Sequence, residues 1–529
     1  MKLLFKWHDY RYFPYERRFA SEEIEVLFGY KPLKTPNGLL LNFRTISKQW
    51  EKLAMRTTYF SKVVINDTDE IVPHQAVLES SVNGFRTMCT REAKYKKLAT
   101  LSRQSTRYSA HGLHDYKGKF NPQVVRAIGN LLALKPGAWV LDPFCGSGTT
   151  LVEARHIGWN AIGLDVNPLA VAITNAKLAA LNAKLKDLVS ATLWLTSRLT
   201  KNANGIRVLK SNRQRKLANY DYLKCWFTPE ILTEINTINT EISSIRNREM
   251  RSVFRIILSD ILRDVSLQDP ADLRIRRRPS PPMDISAVSR FVDSLEKEIR
   301  LISNARRYLY SSTAKQVALL GDAKTVSRSN LAKTLSASIP CFDAAITSPP
   351  YATALPYIDT QRLSLAALNL VRPQDMHSTE KRLIGTREIS AKDRSLFEKE
   401  IRLNPARLPA MCIDVCHQLL QRASDGSDGF RRKNVPALVY KYLKEMSAAF
   451  YSIRPLLRPK SPFVLIVGRN RTTLASEEII IDTPRLLAGI AEIAGFSVEQ
   501  VRELDTYRRF DLHSSNSIRS EAMLVLKRN

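Results

Sequence analysis

The chain has 529 residues, 44% of them hydrophobic, with 81 Lys+Arg set against 51 Asp+Glu for a formal charge of +30. That length and composition supply several domains and a sizeable core, and they exclude a disordered or fibrous chain. No stretch reaches 18 consecutive apolar residues, which excludes a spanning helix; no membrane partner is expected, and the excess of positive charge points to a polyanion, nucleic acid first.

Met1 to Asp9 carries too short an apolar run for a signal peptide. The six cysteines, at 89, 145, 225, 341, 412 and 416, are scattered. They fit the reduced thiols of a cytoplasmic protein rather than a disulfide framework. Residues 1–85 read as a small α+β domain. It holds a strand over Leu3–Trp7, a helix starting near Ser21 with Glu22, Glu23 and Glu25 at its positive end, Gly29 as terminator, and a strand from Ser61. Residues 86–110 form a basic linker in which Arg86, Arg91, Lys94, Lys96, Lys97, Arg103 and Arg107 face one acid, Glu92. A solvated helix face and a surface that tracks phosphates both fit this run.

Over 111–185 the pattern becomes strand, helix, strand, helix, with strands at 138–142 and 160–165 and Asn167-Pro168 opening the second helix. Residues 186–312 read as a largely helical insertion. Thr228-Pro229-Glu230 starts a helix along which Ile231, Ile235, Ile238 and Ile242 recur at helical spacing. Arg274, Arg276, Arg277 and Arg278 follow on a segment whose prolines forbid a helix, so they are expected on an extended loop. Strands return over 313–359, at 317–322 and 342–347. Residues 360–434 form a polar second insertion. Residues 435–529 supply a helix at 437–456, a strand at 462–467, a helix at 484–494, and two closing strands from Phe496 and Glu521. Alternating strands and helices predict an α/β fold with a doubly wound, Rossmann-like parallel sheet.

Two motifs carry chemistry. Asp142-Pro-Phe144-Cys-Gly146-Ser-Gly148-Thr-Thr sits on a strand-to-helix turn, where glycines admit a ligand to the backbone and the helix offers unpaired N–H groups. Asp165 closes the next strand, the place from which a carboxylate accepts hydrogen bonds from ribose hydroxyls. The pair indicates an adenosine-containing cofactor; the third glycine of a dinucleotide fingerprint is absent. The second motif is Thr347-Ser348-Pro349-Pro350-Tyr351, directly after a buried strand. The prolines end the strand and fix an extended loop. Ser348 Oγ and the Pro349 carbonyl are acceptors for an amino group on a flat base, with the Tyr351 ring as a stacking surface. Cys412 and Cys416-His417 lie one helical turn apart without a further Cys or His pair nearby, so they read as core thiols and no metal is expected.

Together these motifs resemble those of DNA amino-methyltransferases. Gly321-Asp322-Ala323 and His114-Asp-Tyr-Lys-Gly-Lys119-Phe120-Asn-Pro122 extend the resemblance, which covers about 111–185, 313–359 and 435–529 and leaves out the N-terminal domain and both insertions. It implies S-adenosylmethionine as cofactor, a methyltransferase sheet, and methyl transfer to an exocyclic amino group of a base flipped out of duplex DNA. By the same resemblance Asp142, Phe144, Gly146 and Gly148 belong to the cofactor turn and Asp165 holds the ribose. Asp322 accepts from the adenine amino group, and Lys119 and Phe120 stand at the methionine end. Ser348, Pro349, Pro350 and Tyr351 take the target base. Serine in this loop favours N4 of cytosine over N6 of adenine. The order of motifs places target recognition in the 186–312 insertion, with Arg274 to Arg278 as its nucleic-acid contacts; 360–434 is the alternative. A restriction endonuclease is the partner such a setting suggests. Residues 15–29 also resemble the opening of some tRNA guanine methyltransferases, which keeps RNA as an alternative substrate. A nucleic-acid-binding protein that retains the fold without catalysis is a third reading.

Overall fold

The computed structural model describes residues 1–43, 49–89, 104–204, 217–269, 276–278, 285–310, 313–352, 357–425, 430–475, 477–505 and 520–529. Arg274 and the stretch of the basic linker from Arg91 to Arg103 lie outside the described residues.

The N-terminal region builds an antiparallel sheet from β1 (Lys2–Trp7), β2 (Leu33–Thr35), β3 (Gly38–Asn42), β4 (Phe60–Ile65) and β5 (Asp69–Ile71), in the order β2-β3-β1-β4-β5. Leu3 and Phe5 alternate inward from β1 while Lys2 and Lys6 stay partly exposed, the period-two pattern of a half-buried strand. The helix expected near Ser21 starts earlier and spans Pro14–Phe28. Pro14 brings a backbone angle already suited to a first helical turn, and the Phe13 N–H donates to Glu16 Oε2 at 2.7 Å, so the cap forms ahead of the acidic run. Gly29 ends the helix with φ 75°, as read from the sequence.

The second sheet contains β6 (Trp139–Asp142), β7 (Asn160–Asp165), β8 (Gln316–Leu320), β9 (Ala344–Thr347) and β10 (Pro462–Gly468). A hairpin of β11 (Asn470–Leu474) and β12 (Glu477–Ile481) branches off. The sheet then closes with β13 (Phe496–Asp505) and β14 (Ser520–Arg528). Its order is β13-β14-β10-β9-β6-β7-β8. Strands β6 to β10 pair in parallel, and β14 runs antiparallel to both β10 and β13. From β6 the chain winds outward through β7 and β8, then returns to β9 and winds the other way. The carboxyl ends of β6 and β9 therefore flank a topological switch point, where ligands bind in open α/β sheets.

The N-terminal sheet does not stand apart. Leu3, Phe5, Phe19 and Tyr59 share one apolar core with Val124, Trp159, Ile346 and Ile466 of the main sheet and its helices. On another side, the helix Arg248–Ile261 packs against Pro168–Asn182, and helices Leu185–Asn204, Pro229–Ser244 and Ala287–Ala305 bundle with it in the same core. The isoleucines at 235, 238 and 242 are buried with Ile173 and Ala176, as their spacing implied. The segment after β9 joins two cores. Ile358, Leu365 and Met376 enter the helical one, whereas Ile401, Cys412 and Cys416 pack against the helix Val435–Ile453. No helix among the described residues is long and apolar enough to cross a membrane.

Candidate active site

A cleft of about 620 Å³ opens at the switch point. The turn after β6 forms one side. Gly146 and Gly148 adopt φ 49° and 79°, a region side chains other than glycine's enter at a cost. A Cβ on Gly148 would fall 2.4 Å from Thr174 Cγ2, so glycine is also what lets the turn lie against the helix Pro168–Asn182. A Cβ on Gly146 would point at the Tyr116 ring, 3.4 Å away, narrowing the cleft. Gly148 N–H donates to the Cys145 carbonyl, and the helix Thr149–Ile157 begins immediately after.

Asp165, at the tip of β7, accepts from Gly146 N–H at 2.9 Å and from Asn167 N–H at 2.8 Å while facing the cleft. Burial raises its pKa from 3.8 to about 6, against the lowering effect of those two bonds. Asp322 follows β8 and lines the same cleft, its Oδ1 accepting from Lys324 N–H at 3.0 Å. From β9 come Ser348 and Pro350. Ser348 Oγ donates its proton to the Ile466 carbonyl at 3.1 Å, which leaves the oxygen lone pairs as acceptors.

Of the residues singled out from sequence, Phe144, Gly146, Asp165, Asp322, Ser348 and Pro350 meet around this cleft. The others stand behind it. Asp142 is buried and accepts from Thr347 Oγ1 at 2.6 Å and Phe144 N–H at 3.2 Å, tying the tip of β6 to that of β9; burial raises its pKa to about 6. Gly148 and Pro349 shape their turns. Tyr351 donates to Glu521 Oε1 at 2.9 Å, and burial followed by that carboxylate pushes its phenol well above the ordinary value. The Asn470 amide donates to the Ala352 carbonyl and holds the loop from the β11 side. Lys119 faces away from the cleft, with Nζ donating to the carbonyls of Thr106 at 2.8 Å and His111 at 3.0 Å. The Phe120 carbonyl accepts from Thr149 Oγ1 at 3.2 Å.

Lys119 thus braces the 104–119 segment, and Tyr116 and Gly118 are the residues it presents to the cleft. Beneath it lies a buried polar cluster. Glu153 accepts from Tyr108 Oη and His111 Nε2, both at 2.8 Å, and from Arg126 Nε at 2.9 Å. Burial alone would raise the Glu153 pKa, but the Arg126 charge and the His111 bond hold it well below the ordinary range. Burial and the nearby Lys119 charge lower His111 to about 3, so its ring is neutral and Nε2–H is the donor.

Tyr357 and the stretch Arg382–Ile384, also in the cleft wall, had no motif to announce them. Arg276 and Arg277 are exposed, and Arg277 pairs with Gln268 in an isolated bridge, which makes this segment extended as expected. Arg278 differs from its neighbours, since its guanidinium donates to the carbonyls of Gln268 at 3.0 Å and Asp264 at 3.3 Å.

The donor and acceptor pattern fits S-adenosylmethionine. Acceptors at Asp165 and Asp322 match a ribose diol and an adenine amino group, and the bare Cα of Gly146 keeps room for the chain between them and Tyr116. The DNA methylase family profile matches residues 8–176. The type II methyltransferase M.MjaII of Methanocaldococcus jannaschii is 37% identical over 131 residues, 25% of this chain and 24% of that protein. The type II methyltransferase M.AvaI of a Nostoc species is 24% identical over 404 residues, 74% of this chain and 80% of that protein. A tRNA (guanine(10)-N2)-dimethyltransferase of Methanocaldococcus jannaschii is 46% identical over 52 residues, 10% of this chain and 15% of that protein. The profile begins at residue 8, so the similarity takes in the N-terminal region that the motifs alone left out. That correction agrees with the core this region shares with the main sheet.

Sheet, turn and cleft together define a Rossmann-like α/β fold whose cleft fits S-adenosylmethionine. By the profile match over residues 8–176 and the extended similarity to type II enzymes, the chain is similar to DNA amino-methyltransferases.

Proposed function

We propose that this protein methylates an exocyclic amino group of a base flipped out of duplex DNA, N4 of cytosine in preference to N6 of adenine. The observation that carries the proposal is Ser348. Its hydroxyl sits in the wall of the cleft with its proton committed to Ile466, presenting only acceptor lone pairs to an incoming amino group. Serine at this loop position is also what the family resemblance associates with cytosine.

When bound, S-adenosylmethionine supplies a methyl group already activated on a sulfonium. The protein's part is then to hold the amino nitrogen in line with that methyl. An amino nitrogen conjugated with a base ring is a poor nucleophile, and hydrogen bonds accepted from it by Ser348 Oγ and the Pro349 carbonyl favour the tetrahedral geometry that frees its lone pair. Extrusion of a base costs roughly a few kcal/mol. Stacking on an aromatic ring returns about 1–3 kcal/mol. Tyr351 is suited to that, because its bond to Glu521 fixes the ring before any base arrives. Asp142 keeps the cofactor turn and the base loop in register by joining β6 to β9. The 186–312 insertion is the favoured reader of DNA sequence, with Arg276 and Arg277 the exposed cations of its extended segment. Similarity to type II methyltransferases supports a restriction-modification setting with an endonuclease partner.

Transfer of labelled methyl from S-adenosylmethionine to mixed-sequence duplex DNA and to tRNA tests the reading. Label in DNA, lost in Ser348→Ala, is expected. Label in tRNA alone would instead favour the substrate of the relative that matches over 52 residues.

A further inference from the structure

Lys324 stands behind two lining elements of the cleft, at a place that no motif assigns. It lies two residues beyond Asp322, in the turn after β8. Its Nζ is 3.2 Å from Glu445 Oε1, 3.1 Å from the Arg382 carbonyl and 3.6 Å from Asp322 Oδ2. Its backbone is fixed as well: the N–H donates to Asp322 Oδ1, and the carbonyl accepts from Ser452 Oγ at 2.6 Å. One ammonium therefore touches three separate parts of the chain. These are the acid of the β8 turn, the 360–434 insertion at Arg382, and the helix Val435–Ile453 at Glu445. Lys441 on that helix reinforces the joint, with Nζ 3.3 Å from the Lys381 carbonyl and 3.9 Å from Glu445 Oε1. The side chains of Lys324, Asp322 and Glu445 are all mostly buried, so water screens these charges only partly.

Both cleft elements that Lys324 holds are lining elements. Asp322 stands on one side, and Arg382, Leu383 and Ile384 form the wall beside it. We propose that Lys324 is a positioning residue for cofactor recognition: it holds the Asp322 carboxylate as an acceptor for the adenine amino group and seats the Arg382–Ile384 wall against the adenine. An aspartate with no cation beside it can turn toward solvent, whereas this one is held at both oxygens, by the N–H and by the ammonium of one lysine. The wall comes from an insertion whose other helices belong to two different cores, so the Arg382 carbonyl needs a local anchor to keep its distance from β8. The role rests on the reading of the cleft as an S-adenosylmethionine site.

The probes are S-adenosylhomocysteine and S-inosylhomocysteine, in which a carbonyl replaces the adenine amino group, with affinities measured by calorimetry. The wild-type chain is expected to prefer the adenosyl compound by about tenfold or more, because the inosyl carbonyl would face the Asp322 carboxylate without a proton between them. In Lys324→Met that preference is expected to shrink by about fivefold or more, mainly through weaker binding of the adenosyl compound. Lys324→Arg, which keeps the charge, is expected to retain it. Melting curves verify that each variant is folded. Equal weakening of both probes in the Met variant would reduce Lys324 to general support and overturn the proposal, as would an unchanged preference. A loss in the Arg variant as large as in the Met variant would overturn it too, since charge would not be the agent. If the wild-type chain bound neither compound, the cofactor reading itself would fall and take this role with it; binding of both with no preference would remove the role of Lys324 alone.

Discussion

Replacing Asp165 by asparagine tests the cofactor side of the cleft most sharply, because it separates binding from folding. The carboxylate accepts two backbone N–H bonds and faces the cleft with its remaining lone pairs. An asparagine oxygen can keep one backbone bond, but it loses the charge that strengthens bonds from ribose hydroxyls. Charge-assisted bonds of this kind contribute about 1.5–3 kcal/mol, so the dissociation constant for S-adenosylhomocysteine should rise about 10- to 100-fold. Stability should respond differently. The substitution removes a carboxylate whose ionisation burial opposes, and it also removes a hydrogen bond; these effects have opposite sign and each amounts to about 1–3 kcal/mol, so the apo melting temperature should move little. The pH dependence adds a second signature. With the folded pKa raised to about 6, binding to the ionised acid should be constant above that pH and weaken by up to about tenfold per unit below it. The stabilisation from protonating Asp165 runs the other way: it is fully present below pH 3.8 and lost as pH rises through about 6. Calorimetric titration from pH 5 to pH 7 on both proteins reads these effects. An asparagine variant that binds within about twofold of the wild type, or a wild-type affinity flat across the range, would refute the assignment.

Tyr351→Ala should abolish most methyl transfer while leaving S-adenosylhomocysteine affinity within about threefold, because the ring lies outside the cofactor cleft; calorimetry beside a transfer assay decides it. Glu153→Gln should destabilise the fold by about 3–5 kcal/mol at pH 7, since Arg126 would be left buried without its counter-charge. Because the Glu153 pKa is lowered, that stability is present above the ordinary glutamate value and lost as pH falls, so the difference between variant and wild type in urea unfolding should narrow at acid pH. Arg276→Ala combined with Arg277→Ala should weaken binding to target DNA more than to random DNA, by about 1–3 kcal/mol per lost base contact, in fluorescence anisotropy. Equal loss on both DNAs, with a salt slope lowered by about one per arginine, would make these residues phosphate contacts and leave 360–434 as the better candidate for sequence reading.

What could be read from the sequence was what local chemistry decides. The turn Asp142–Thr150 and Asp165 sit at the ends of consecutive strands, where glycine angles and a carboxylate are required one strand–helix–strand unit apart, and the loop at Ser348 is set by two prolines. The sheet was legible for the same reason, since short apolar runs alternate with capped helices. Less legible was which of several neighbours turns toward the cleft. Within 114–122 the sequence offers Tyr116, Lys119 and Phe120 together, and the choice falls to Tyr116 because carbonyls at Thr106 and His111 draw the lysine inward. The Arg382–Ile384 wall could not be read at all. It reaches the cleft through contacts with Lys324 and the helix Val435–Ile453, which lie far away in the chain and have no periodic signature. The early start of the first helix shows a smaller version of this: a proline and one glutamate made the cap, and the more conspicuous acidic run lies within the helix.

The amino group that receives the methyl is what defines the reaction. Duplex DNA methylated by the purified chain, digested to nucleosides and analysed by mass spectrometry, tests it directly. N4-methylcytosine that disappears with Ser348→Ala is expected. N6-methyladenine would contradict the choice of base, and the absence of any methylated nucleoside from DNA would contradict the function itself.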